Sequence, residues 1–199
     1  MDFKFWLLNE EENQVEGLDK VIDLIKTRHP TVADSLLEKV KQFIQLSGLK
    51  KIQIVDMTAY GAALYDKIII NNNVFSMSLE LIIYTLFHET AHQYQFKKYG
   101  FTELTKFAHR EMDVKQAVQF LRKTENIADN FAIRKIQQLK NSGENIDFKI
   151  RPFYKDIPDS ILEGLISSIR RELEDRDETD PIAYAEAIYN ITRVVERAN

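Results

Sequence analysis

The chain has 199 residues, 44% of them hydrophobic, which is enough to bury one good core with a small appendage. It has no cysteine, which excludes disulfide bonds and cysteine-ligated zinc and fits a reducing compartment. A net charge of −4 argues against a dedicated nucleic-acid-binding protein. The start is charged too early for a signal peptide, and no apolar run is long enough to span a membrane. We therefore expect a cytoplasmic protein without a membrane partner.

The N-terminal part of the chain predicts two helices. Residues 3–8 alternate weakly, as a strand would, and are followed by an amphipathic helix that ends at His29-Pro30. Thr31 is predicted to cap a second helix, which Gly48 closes. Neither helix is basic enough for a DNA-reading helix-turn-helix, so we expect both to pack over a sheet. Their apolar positions are Leu18, Val21, Ile22 and Ile25 in the first and Leu36, Leu37, Val40, Phe43 and Ile44 in the second.

Two segments rich in β-branched residues, 51–56 and 65–71, are predicted to be strands. Three asparagines at 71–73 indicate a turn after the second strand. If that strand lies at the edge of the sheet, its free backbone groups can pair with an extended peptide. An ordinary core strand that buries Ile68 and Ile70 is equally compatible with the sequence.

The pentad His88-Glu89-Thr90-Ala91-His92 lies in an apolar helical segment that Ser76 or Ser78 can cap. Two imidazoles four residues apart face the same side of a helix and can bind one zinc ion. The glutamate between them lies at the neighbouring edge of that face, where it can take a proton from water at the metal. Two core histidines with other partners are the alternative interpretation.

Glu125 and Asp129 are the candidates that would complete such a site. They are four residues apart on the apolar face of a predicted long helix, whose start carries a capping box of Asp113 and Gln116. Carboxylates on an apolar face need a cation or hydrogen-bond donors. Glu125 can bind zinc, and Asp129 can accept the second N–H of a ligand histidine. The alternative is a helix that begins here, with Thr124 as its cap.

The HExxH pentad followed by Glu-x-x-x-Asp resembles the gluzincin metallopeptidases, the group that includes thermolysin and neprilysin. The segment 125–130, Glu-Asn-Ile-Ala-Asp-Asn, is similar to the neprilysin form of the second motif. Length and layout resemble the compact zincins of the ImmA/IrrE type, and the resemblance covers residues 66–140. It implies zinc ligands at His88, His92 and Glu125, a general base at Glu89 and a histidine partner at Asp129. The chain is far shorter than thermolysin or neprilysin, so their specificity pockets do not carry over.

These observations predict an α+β fold, mostly helical, with a short mixed sheet packed on the HExxH helix. Residues 1–142 are expected to form a zincin-like catalytic domain, and residues 143–199 a C-terminal hairpin with helices near 161–173 and 182–195. The predicted function is a zinc-dependent peptidase that acts on a protein or peptide, with no nucleic-acid partner expected. The alternative is a non-catalytic zincin-fold interaction or regulatory protein, for instance one of phage or mobile-element origin.

A peptidase of this kind also needs a donor that stabilises the oxyanion formed at the substrate carbonyl. The candidates near the pentad are Tyr94, Tyr99, His109 and Arg110. The sequence does not choose among them, although His109 is expected at the surface.

Overall fold

The computed structural model describes residues 14–57, 59–64, 67–99, 106, 111–146, 149 and 157–174. Within these ranges the fold is α+β, as predicted, and helices predominate. None of the helices there combines the length and the apolar character that crossing a membrane requires. In chain order the elements are α1 (Leu18–Arg28), α2 (Asp34–Gln45), β1 (Lys51–Val55), β2 (Gly61–Ala63), β3 (Lys67–Asn71), a 3₁₀ helix (Asn72–Ser76), α3 (Leu79–Tyr99), α4 (Val114–Asn141) and α5 (Asp159–Glu174).

The two N-terminal helices lie where the sequence predicts them, but one predicted cap is wrong. Helix α1 ends at Arg28, directly before His29-Pro30, and buries its four predicted apolar residues. Helix α2 begins only at Asp34, with Ala33 before it and no capping side chain, so Thr31 is not its cap. The chain after α1 first forms a turn, in which Val32 N–H donates to the His29 carbonyl (3.0 Å), and this turn delays the helix.

The sheet has three described strands in the order β1-β3-β2, and it is mixed, as predicted. Strand β1 runs parallel to β3, and β2 runs antiparallel to it. The predicted strand at 65–71 is therefore the central strand and not an edge, because both of its sides are hydrogen-bonded. It buries Ile68, Ile69 and Ile70 almost completely. Strands β1 and β2 are the two edges of the described sheet, and β2 is a strand that the sequence analysis missed.

Helices α3 and α4 begin with side-chain caps that the sequence contains. At the start of α3, Leu81 N–H donates to Ser78 Oγ (3.3 Å). At the start of α4, Gln116 N–H donates to Asp113 Oδ1 (2.7 Å) while Asp113 N–H donates to Gln116 Oε1 (3.0 Å), which is the predicted capping box. Helix α4 then continues for 28 residues, so Glu125 lies mid-helix and a helix start at Thr124 is excluded.

Helix α3 occupies the centre of the described structure, since it contacts β2 and β3 as well as α4. Four of its apolar side chains, Ile82, Ile83, Leu86 and Phe87, are almost fully buried. Burial on several sides fixes the position of the helix, because each of these contacts removes apolar surface from water. The polar side chains that α3 carries are therefore held in place with it.

Helix α5 packs against the first half of α4. Arg122 of α4 donates to the Ile157 carbonyl (2.6 Å) and pairs with Asp159 (2.5 Å), while Arg170 of α5 donates to the Met112 carbonyl (2.8 Å). The first helix of the predicted C-terminal hairpin is thus present. Its second helix, near 182–195, and the predicted strand at 3–8 lie outside the described residues.

Candidate metal centre

The structure brings the three predicted ligands together. His88 and His92 lie one turn apart on α3, and Glu125 faces them from the middle of α4. The two Nε2 atoms are 3.0 Å apart, and Oε2 of Glu125 lies 3.3 Å from Nε2 of His88 and 3.5 Å from Nε2 of His92. The imidazole side chains of His88 and His92 are only 14% and 13% exposed. The two nitrogen atoms and the carboxylate oxygen therefore converge at a largely buried position.

These distances fit a metal ion bound by all three atoms. Ligands about 2.0–2.1 Å from a tetrahedral zinc ion are about 3.3–3.4 Å from one another. The three distances between the ligand atoms, 3.0, 3.3 and 3.5 Å, bracket that value. Two imidazoles and one carboxylate also form a donor set of catalytic zinc sites, which leave a fourth position open. The residues present can therefore hold a metal ion.

Asp129, for which the sequence analysis predicted a contact with a ligand histidine, lies beside His88. Its Oδ1 lies 3.0 Å from Nδ1 of His88, and it also accepts a hydrogen bond from the Tyr84 hydroxyl. Burial and the nearby Asp129 carboxylate raise the pKa of Tyr84, so its hydroxyl keeps the proton that it donates. A carboxylate beside Nδ1 favours a proton on that nitrogen and leaves the Nε2 lone pair free for a metal.

Gln95 does the same for His92, and the sequence analysis missed it. Its Nε2 donates to the Thr124 carbonyl (2.9 Å), which turns Oε1 toward Nδ1 of His92, 3.1 Å away. Because an amide oxygen only accepts, this contact favours a proton on Nδ1 of His92 and leaves Nε2 as the nitrogen that can bind a metal ion. The available signal was its position three residues after a ligand histidine, on the same helix face. The residue that it contacts on α4 directly precedes Glu125.

Electrostatic coupling inside the cluster is strong. Burial lowers the pKa of both imidazoles, but nearby carboxylates outweigh this effect. Asp129 and Glu125 raise the pKa of His88, and Glu125 raises the pKa of His92. Burial raises the pKa of Glu125, but the two histidines outweigh it and hold that pKa well below its usual range. Glu125 therefore stays ionised, and a positive charge among these side chains is strongly favoured.

Glu89 lies beside the cluster and not in it. It is 8% exposed, and its side chain lies against Gly61 in the edge strand β2. Burial raises the pKa of Glu89, and the nearby His88 and His92 offset this only in part. A buried carboxylate with a raised pKa is the kind of group that can accept and return a proton.

The four oxyanion candidates are not resolved further by the fold. Tyr94 is half-buried on α3, and Tyr99 is the last residue of that helix. His109 and Arg110 lie outside the described residues. The choice among them stays a prediction.

Comparison of the chain with protein-family models, with curated proteins and with solved structures found no match. The function of the site therefore has to be inferred from its own geometry, in which two histidines and one glutamate converge beside a second, buried glutamate.

Proposed function

We propose that the chain is a zinc-dependent peptidase of gluzincin type, with His88, His92 and Glu125 as metal ligands and Glu89 as general base. One observation carries the proposal: three donor atoms from two helices lie within 4.8 Å of one another. Their pairwise distances suit a tetrahedral ion, and the neighbouring glutamate supplies a base. A pair of satisfied core histidines would not need both Nε2 atoms to converge on one carboxylate oxygen.

Each of the chain's own residues has a separate role in the proposed hydrolysis. A zinc ion held by the three ligands would acidify a water molecule and polarise the substrate carbonyl. Glu89 accepts the proton of the attacking water on its carboxylate and returns it to the nitrogen of the departing amine. Asp129 and Gln95 keep the two imidazoles in the orientation and tautomer that this requires. Because the site is buried, few water molecules other than the attacking one reach it.

Strand β2 is the segment along which we propose that a peptide substrate binds. It is the edge strand on this side of the described sheet, and it lies against Glu89. An edge strand can pair with an extended peptide through its backbone N–H and C=O groups. A peptide bound along β2 would lie next to the general base and the ligand histidines. Of the two interpretations of the segment 65–71, the core strand is the one that the structure has, and we propose Gly61–Ala63 as the edge strand for the peptide.

Metal content is the first test of the proposal. Purified wild-type protein, prepared without added metal or chelator, should contain about one zinc ion per chain by plasma mass spectrometry. Glu125→Ala should contain much less, because it removes one of three ligands. Glu38→Ala, which changes an exposed glutamate on α2, is the matched control and should keep the metal. A full zinc complement in Glu125→Ala would exclude Glu125 as a ligand, and no zinc uptake in wild type would contradict the whole site.

Peptide cleavage is the second test. Wild-type protein incubated with a broad peptide library should generate new termini, detected by mass spectrometry. Glu89→Gln should retain zinc and lose cleavage by about 10²–10⁴-fold, since it removes a general base but no ligand. Glu38→Gln should cleave like wild type. If wild type binds zinc but cleaves nothing, the alternative of a non-catalytic zincin-fold interaction protein is favoured instead.

A further inference from the structure

Gly61 is the residue of β2 that faces Glu89, and its lack of a side chain has a specific consequence. A Cβ atom built at position 61 would lie 2.6 Å from Cγ, 2.9 Å from Cδ and 2.9 Å from Oε1 of Glu89. Real Cβ atoms essentially never approach another heavy atom below 3.0 Å. The Glu89 carboxyl group therefore occupies the space that any other residue at position 61 would fill.

The contact differs from that of Gly17, a second glycine whose Cβ would meet the protein closely. At Gly17 the three nearest atoms belong to the backbone of Ile52, and its φ of +83° is one that side chains rarely adopt. Gly17 is thus needed by the fold itself. At Gly61 the three nearest atoms all belong to one side chain, and no positive φ is involved. Its requirement is therefore tied to Glu89.

The strand cannot easily retreat to make room. Gly61 is paired with Ile70 in the sheet, and the residue before it, Tyr60, accepts a hydrogen bond from Asn71 N–H (2.9 Å). The backbone of α3 is held by its buried apolar face. What remains free to move is the side chain of Glu89, which has three rotatable bonds.

We propose that Gly61 is a positioning residue for the general base: its missing side chain lets the Glu89 carboxylate lie between β2 and α3, beside the metal ligands. This inference rests on the proposed peptidase function. A methyl group at position 61 displaces the carboxylate and leaves the ligands on α3 and α4 in place. Misplacement of a reacting group by about 1 Å can reduce a rate by about 10²-fold.

Gly61→Ala and Gly164→Ala form the matched pair that tests this. Gly164 is an exposed glycine of α5 whose added Cβ would meet nothing within 4 Å. We expect Gly61→Ala to keep its zinc and its KM while kcat falls about 10–100-fold. Gly164→Ala should match wild type in all three quantities. Wild-type kcat in zinc-loaded Gly61→Ala would overturn the proposal.

A thermal double-mutant cycle tests the same contact without any activity measurement. Gly61→Ala should lower the melting temperature in the wild-type background, and it should be neutral or stabilising in the Glu89→Ala background, where the clash is gone. Equal changes in both backgrounds would overturn the proposal. If wild type cleaves no peptide, the proposed function fails, while the cycle still decides whether Gly61 makes room for Glu89.

Discussion

The metal cluster, which consists of His88, His92 and Glu125, and a second polar cluster at the end of α4 each contain a buried carboxylate. The two clusters differ in the groups that this carboxylate meets. In the second, which we call the Lys39 cluster, Lys39 Nζ from α2 binds Glu144 Oε1 (2.6 Å), Ser142 Oγ (2.9 Å) and the Ser142 carbonyl (3.2 Å). Ser35 donates to the other oxygen of Glu144 (3.1 Å). The Glu144 side chain is only 7% exposed, yet every charge in this cluster meets an opposite charge or a donor from the chain.

In the metal cluster the carboxylate of Glu125 meets two imidazoles and not an ammonium group. Asp129 lies beside Nδ1 of His88 and Gln95 beside Nδ1 of His92, while the Nε2 atoms of both imidazoles face Glu125. The Lys39 cluster is therefore complete as a hydrogen-bonded ion pair, whereas the metal cluster consists of groups that could bind a cation. A buried carboxylate that faces two imidazoles and not an ammonium group is a candidate metal ligand, because imidazole nitrogens and carboxylate oxygens both bind metal ions.

The largest effect should be the response of thermal stability to zinc. A ligand at about 1,000 times its Kd stabilises a native protein by about 4 kcal/mol, which for a chain of this size corresponds to about 8–16 °C in Tm. We expect such a shift in wild type by calorimetry and its loss in Glu125→Gln. Lys39→Met should lower the starting Tm but show the full shift. A zinc-induced rise in Tm that persists in Glu125→Gln would contradict the proposed difference between the two clusters.

Removing the groups that orient the histidines should have an intermediate effect. Asp129→Asn and Gln95→Leu should each weaken zinc binding by about 10–100-fold, because each frees a ligand imidazole to rotate or change tautomer. Asp129→Asn should lie at the upper end, since a carboxylate also raises the basicity of its histidine. Competition titration with a chelator of known affinity measures this. An unchanged affinity in both variants would show that the ligands orient themselves.

The smallest effect should be the pH dependence of the Lys39 cluster. The hydrogen bond from Lys39, aided by Ser35, lowers the pKa of Glu144 although burial opposes it. A carboxyl group with a lowered folded-state pKa contributes stability above its unfolded value of about 4.3, and this contribution is lost as pH falls through the folded-state pKa. Lys39→Met should therefore cost stability at pH 7 and progressively less below about pH 4. Tm measured in metal-free buffer at several pH values checks this, and a pH-independent cost would contradict it.

Local signals account for the part of the fold that the sequence predicted. The capping box of Asp113 and Gln116 and the unbroken apolar phase behind it fixed α4, and with it the mid-helix position of Glu125. The HExxH pentad needs only helix geometry to place His88 and His92 side by side. These predictions succeeded because each depends on contacts between residues close in the chain.

The missed features depend on contacts between distant segments. Strand β2 consists of Gly61 and two alanines, which carry no β-strand propensity, and it exists because β3 and α3 provide a place for it. The central position of β3 likewise depends on that unrecognised neighbour. Gln95 gained its role only when α4 brought the Thr124 carbonyl within reach. No periodicity in the sequence encodes such an approach.

The hydrogen bond from Gln95 to the Thr124 carbonyl couples the candidate metal centre to the alignment of α3 relative to α4. It ties α3 to the residue directly before Glu125, so the two helices share one alignment at the ligands. A slip of one residue along α4 would shift its side chains by about 1.5 Å and turn them by about 100°. Glu125 would then leave the cluster. A bound ion would consequently link α3 to α4, and hydrogen exchange across both helices should slow together when zinc is added.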